Sequence, residues 1–178
     1  MNESPVLRIH RLSVAVRWLA AVGALVLLVL PPVFWSQPEW VASVVRRQWA
    51  LGPLQLDAGS RIAALAGSLP QCLAGLWAMW EIWRLFGRFA AGEVLAPQPA
   101  RHLRRLGGAL ITLAVLSPLS DTLTVLALTW GNPPGQRQLM FNVSGQDYLA
   151  LLFGLMLMAL AVVLGEAARV AQEHSEFV

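Results

Sequence analysis

Charge almost vanishes from four long stretches of this chain, and that absence leaves the backbone very few ways to fold. Trp18 to Pro38 and Ile62 to Trp80 carry no charged residue, Gly107 to Trp130 carries only Asp121, and Tyr148 to Gly165 is bounded by Asp147 and Glu166. At about 1.5 Å per residue, each is long enough to cross a hydrocarbon layer of roughly 30 Å as a helix. Lipid offers no hydrogen bonds, so the backbone must satisfy itself within each segment, which a helix does. Hydrophobic residues make up 57% of the chain and charged residues 13%, against about 25% charged in ordinary soluble domains, too few to cover a water-facing surface. The expectation is an all-α membrane protein: one domain over residues 1–178, with four transmembrane helices near 14–35, 62–83, 107–130 and 148–168, and an inner loop over 84–106.

The first stretch follows a basic start, as a signal peptide would. Its apolar core is too long, however, and runs into Pro31-Pro32-Val33-Phe34-Trp35 without a cleavage site, so it is read as a retained span. All 13 basic residues are arginine. Nine of them, Arg8, Arg11, Arg17, Arg84, Arg88, Arg101, Arg104, Arg105 and Arg169, fall on one side of the four spans. Arg46, Arg47, Arg61 and Arg137 fall on the other. The positive-inside rule then makes both termini and the loop 84–106 cytoplasmic. Tryptophan placement agrees: Trp18, Trp80 and Trp83 lie near the inner boundary and Trp35, Trp40, Trp49 and Trp130 near the outer one, with Trp77 one turn deeper. The arginine excess is therefore assigned to topology, and no direct nucleic-acid binding is expected. Cys72 is the single cysteine and lies in an apolar segment, which suits packing and excludes an intrachain disulfide.

The chain also repeats itself at an offset of about 87 residues: Arg17 recurs as Arg104, Pro31 as Pro118, and Leu56–Gly67 (LDAGSRIAALAG) as Val143–Gly154 (VSGQDYLALLFG). With a two-residue slip, Glu81-x-x-Arg84 returns as Glu166-x-x-Arg169. This predicts two in-out-in hairpins. Each Glu and Arg, three apart, can meet on one helix face, and the two pairs could cluster about a pseudo-twofold axis as structural clamps. Asp121 has no repeat mate, because Phe34 occupies the corresponding position.

In the outer loop, Glu39 to Ala50 reads as a short amphipathic helix on the membrane surface, ended by Gly52-Pro53. Leu54–Asp57 and Leu139–Val143 alternate like strands and could pair as a small outer β-ribbon, although runs this short are ambiguous. In the inner loop, span two should continue as helix to about Ala91 with Gly92 as its stop, and Pro97 and Pro99 suit the first turn of the next helix. That helix carries Arg101, Arg104 and Arg105, whose basic face fits anionic headgroups or a cytosolic protein.

Gly92-Glu-Val-Leu-Ala-Pro followed by Arg101-His-Leu-Arg-Arg-Leu-Gly107 resembles the inner-loop signature of the bacterial membrane proteins grouped as domain of unknown function 2975. The ending Glu166-Ala-Ala-Arg-Val-Ala-Gln-Glu-His-Ser-Glu-Phe-Val178 is similar to that family's cytoplasmic tail. Leu95 and Ala96 depart from the pattern, since members usually have a polar capping residue and an aromatic there, and this puts the start of that helix in doubt. The resemblance implies a four-helix bacterial inner-membrane protein without established enzymatic activity. Some relatives are encoded beside small helix-turn-helix regulators, which motivates such a regulator as a candidate cytosolic partner.

Among residues that carry chemistry, Asp121 is the one acid well inside a span, roughly 13 Å from Trp130 at about 1.5 Å per residue. It needs a partner, water or a proton. Arg61 or Arg137 could reach it, and Ser117, Ser120, Thr122 and Thr124 near Pro118 add polar capacity, making Asp121, Ser117 and Ser120 a candidate ligand or ion site. Arg101, Arg104, Arg105 and Glu93 are the candidate partner or lipid contacts. His10, His102 and His174 are read as surface residues, and no metal site or cofactor is expected, because no metal-binding spacing joins them. No nucleophile elbow, phosphate loop or carboxylate pair supports an enzyme. Two functions compete: a non-enzymatic membrane anchor or sensor for a regulatory partner, and a small transporter or ligand-binding module centred on Asp121. Gly107-Gly108 and the small residues Ala20, Gly23 and Ala24 would allow close helix contact within the chain or in a homo-oligomer.

Overall fold

The structure, a computed structural model, describes residues 5–49, 56–93, 97–133 and 136–176. Five helices follow in order: α1 Pro5–Ser36, α2 Pro38–Trp49, α3 Ala58–Ala90, α4 Pro97–Thr129 and α5 Gly145–Glu176. All but α2 are long and apolar enough to cross a membrane, and they make the chain a multi-pass membrane protein. They overrun the apolar stretches at both ends, because polar flanks such as Arg84 to Ala90 keep helix-forming sequence beyond the hydrocarbon boundary.

The chain punctuates these helices with chemistry that physics requires at helix ends. Asp57 caps α3, its carboxylate accepting from the amides of Gly59 and Ser60. Ser144 caps α5 reciprocally: its hydroxyl accepts from the Asp147 amide at 3.2 Å, while the Asp147 carboxylate accepts from the Ser144 amide at 2.7 Å and hydroxyl at 2.8 Å. At the other end of α3, Gly92 adopts φ 82°, the left-handed conformation that stops a helix with little strain only at glycine. Gly92 therefore ends α3, as the sequence predicts, and α4 starts at Pro97; Leu95 and Ala96 lie outside the described residues.

The long helices form an open row. α1 packs on α3, α3 on α4 and α4 on α5; among the described residues the backbone of α1 approaches neither α4 nor α5, and those of α3 and α5 stay apart, meeting through an apolar cluster of Leu85, Leu103 and Ala161. The closest approach joins α4 to α5, where Gly107 and Gly154 face each other so tightly that a Cβ on Gly107 would lie 2.7 Å from the Gly154 carbonyl oxygen. At the far end, α2 lies across the row. Val41 and Val45 point inward onto Trp35, Ala64, Val125 and Leu128, leaving Glu39, Arg46 and Arg47 exposed. The amphipathic outer helix is thus present, although Gly52-Pro53 falls outside the described residues.

No strand occurs among the described residues, and the expected β-ribbon is absent there; Leu54 and Gln55 lie outside them. Residues 139–143 instead run as irregular chain whose polar groups are taken up by α4 side chains. Thr129 Oγ1 accepts from the Gln138 amide at 3.2 Å, and the Thr122 hydroxyl lies 2.9 Å from the Met140 carbonyl oxygen.

Candidate functional site

At the arginine-rich end of the row, α3 brings Glu81 and α4 brings His102 to one buried contact. His102 Nδ1 lies 2.7 Å from Glu81 Oε2, with the two side chains 11% and 4% exposed, and the imidazole N–H donates to the carboxylate. Trp77, one turn back along α3, donates its indole N–H to Glu81 Oε1 at 3.4 Å. Leu103, Leu106 and Ala109 share the buried side of α4 with His102, and Leu85 and Ala78 face them from α3.

This geometry corrects two expectations. His102 is not a surface histidine. Nor does Glu81 clamp Arg84, whose guanidinium instead stacks on the Trp80 ring at 5.3 Å to its centroid. Glu81 projects toward α4, whereas Arg84 lies on the exposed side of α3. The Glu166 to Arg169 pair does form, at 2.9 Å, but it is exposed and extends to Glu173. Among the described residues the two Glu-x-x-Arg motifs make no four-charge cluster, because Glu81 turns to His102 and Arg84 to Trp80 while Arg169 stays with Glu166 and Glu173.

Burying His102 fixes the helical phase of α4, and that phase turns Arg101, Arg104 and Arg105 outward together. Among the described residues none of these three arginines has a carboxylate partner. Glu93, by contrast, is held by Arg88 at 3.2 Å beside the Gly92 turn. His10 on α1 reaches the carbonyl of Ala90, with Nδ1 3.1 Å from that oxygen, and ties α1 to the end of α3. The side chain of His174 lies outside the described residues.

The Asp121 region is at the opposite end. Asp147 of α5 is buried, accepts a hydrogen bond from the Ser117 hydroxyl, and lies within electrostatic reach of Asp121. The structure thus joins Ser117 to Asp147, a residue that sequence reasoning treated only as a span boundary. Ser120 is buried with its hydroxyl unpartnered. Neither expected arginine comes to Asp121. Arg61 donates to the carbonyls of Trp35 and Ser36 at 3.3 and 3.0 Å, satisfying oxygens at the end of α1, and Arg137 stacks on Trp130. Among the described residues no group of three His, Cys, Asp or Glu side chains could hold a metal ion.

His102 carried a signal that sequence analysis passed over. Apolar positions 103, 106 and 109 mark one face of α4, and residue 102 shares it while Arg101, Arg104 and Arg105 do not.

No curated protein and no solved structure matches the chain. A family model described as a protein of unknown function, DUF2975, matches residues 53–178, a stretch that includes the Gly92 turn, the three outward arginines and the Glu81 to His102 contact, and the chain belongs to that family.

Proposed function

We propose that this is a non-enzymatic protein of the bacterial inner membrane, with both termini cytoplasmic, that anchors a cytosolic regulatory partner to the bilayer or senses on its behalf. The observation that carries the reading is the row of Arg101, Arg104 and Arg105, outward, unpaired with any described carboxylate, and rigidly phased by the buried His102. Other arginines at this end have partners: Arg88 has Glu93, Arg169 has Glu166 and Glu173, and Arg17 and Arg84 stack on tryptophans. Three guanidinium groups left free on one helix face suit an acidic partner surface, and the helix-turn-helix regulators suggested by the family resemblance are the candidate class. Charge reversal of Arg101, Arg104 and Arg105 together should abolish recovery of the partner with the protein from native membranes, while Asp121→Asn leaves it intact. Recovery unchanged by the reversal would count against this surface.

A second reading, a ligand-binding or transport module, draws its support from Asp121 lying within electrostatic reach of Asp147, to which Ser117 is joined, at the far end of α4 and α5. On that reading Asp121→Asn removes ligand-dependent stabilisation or flux and the arginine reversal does not. Spans one and four contribute few polar positions, which ranks it second.

A further inference from the structure

A groove of about 490 Å³ runs along α1 and α3 at the arginine-rich half of the row, walled by Ala20, Ala24, Leu28, Met79, Trp80 and Trp83. Its walls are small or apolar, and its inner end is closed by the two tryptophans. Each tryptophan carries an arginine: Arg17 lies over the Trp83 ring at 4.2 Å and Arg84 over Trp80 at 5.3 Å. Trp18 meets the other aspect of Trp83 edge-on at 6.3 Å, so this end is a built aromatic and cationic cluster. No described carboxylate pairs with Arg17 or Arg84, and Arg17 Nε is buried without an acceptor. Arg17 reaches across to α3 beside Gly87, where a Cβ would lie 3.8 Å from its guanidinium carbon.

From this we infer that the groove between α1 and α3 holds one anionic phospholipid, an acyl chain along Ala20, Ala24 and Leu28 and a headgroup phosphate against Arg17 and Arg84. An apolar trough open to the bilayer suits a hydrocarbon chain. The two guanidinium groups at its interfacial end lack acceptors that a phosphate supplies. The charge complementarity commits the site to an anionic lipid, since a zwitterionic headgroup would bring its own cation to the same place. The site is separate from the Arg101 ridge, which lies on α4.

The test is native mass spectrometry of the full chain, released from micelles containing equal amounts of phosphatidylglycerol and phosphatidylcholine. The wild type should retain one phosphatidylglycerol in preference to phosphatidylcholine. Arg17→Gln and Arg84→Gln should each reduce that preference about fivefold, and the double variant should bring it near unity. Ala24→Leu, which fills the trough while leaving both arginines, should lower retention of both lipids. Arg46→Gln at the opposite end serves as the control and should change nothing. A preference that survives the double arginine variant overturns the assignment, as does equal retention of the two lipids by the wild type. Retention that inorganic phosphate competes away, with no effect of Ala24→Leu, would also overturn it by showing a phosphate site without a lipid chain.

Discussion

Removing His102 should destabilise the protein more than removing its partner Glu81, and removing both should cost about what Glu81 alone does. In His102→Ala the Glu81 carboxylate loses its 2.7 Å bond and keeps only the Trp77 indole at 3.4 Å, with 4% of its side chain exposed. A buried charge stripped of its partner costs about 3–5 kcal/mol. Glu81→Ala instead leaves a buried imidazole unpaired, a cost of about 1–3 kcal/mol. In the double variant no charge is stranded, so Glu81→Ala should recover about 2 kcal/mol of the His102→Ala loss, a coupling of about 3–5 kcal/mol. Hydrogen bonds between helices in membranes average nearer 0.6 kcal/mol, so the ordering of the variants is a sharper test than their size. The assay is reversible unfolding of the purified protein by SDS in mixed micelles, followed as loss of helicity by circular dichroism. Additive single effects, or a His102→Ala variant as stable as wild type, would refute the reasoning.

Two further predictions rest on helix contacts and helix ends. Gly107→Ala should destabilise by about 1–2 kcal/mol in the same assay, because its Cβ would meet the Gly154 carbonyl oxygen and Met158 at 2.7 Å, while Gly165→Ala, with nothing within 4 Å, should be neutral or stabilising. Hydrogen bonds from Ser60, its hydroxyl first and then its amide, hold the Asp57 carboxyl below the usual carboxylate range. The cap should therefore contribute fully above that range and lose its contribution as pH falls through the lowered value. Asp57→Asn should flatten that dependence in a pH series of melting temperatures without removing the cap acceptor.

Much of this architecture was legible because membrane helices are written in one variable. Charge-free length placed all four, Gly92 announced the end of α3 and Pro97 the start of α4. What stayed hidden were choices between partners of similar reach. Arg84 can meet Glu81 at helical spacing, yet an indole on its own side of α3 was available and Glu81 faced inward to α4. Arg61 could extend toward Asp121, but the open carbonyls at the end of α1 are nearer. The segment 139–143 alternates like a strand, yet it runs as irregular chain tied to α4 through the Met140 carbonyl and the adjoining Gln138 amide. Periodicity along one helix does not say which neighbour stands beside it, and the open row puts α4, not α5, beside α3.

The two hairpins also differ where their helix caps exchange parts. At the offset of about 87 residues, Asp57 corresponds to Ser144 and Ser60 to Asp147, so α3 is capped by an acid with a hydroxyl three residues on, and α5 by a hydroxyl with an acid three residues on. Either order satisfies the orphan amides of a first turn, so helix stability alone gives little reason to prefer one. Their surroundings do differ. The exchange moves the carboxylate from an exposed cap to a buried position beside Ser117 and within reach of Asp121, and Asp121 itself replaces an aromatic at Phe34. Both departures from the repeat place acid at the same end of the second hairpin, where lipid-facing packing would favour neither. At the opposite end the departure is His102, Arg101 and Arg105 around the repeated Arg104, which turns one anchoring arginine into a ridge. Asp121 and the Arg101, Arg104 and Arg105 ridge both belong to α4, which makes α4, not the row as a whole, the element on which function should be sought.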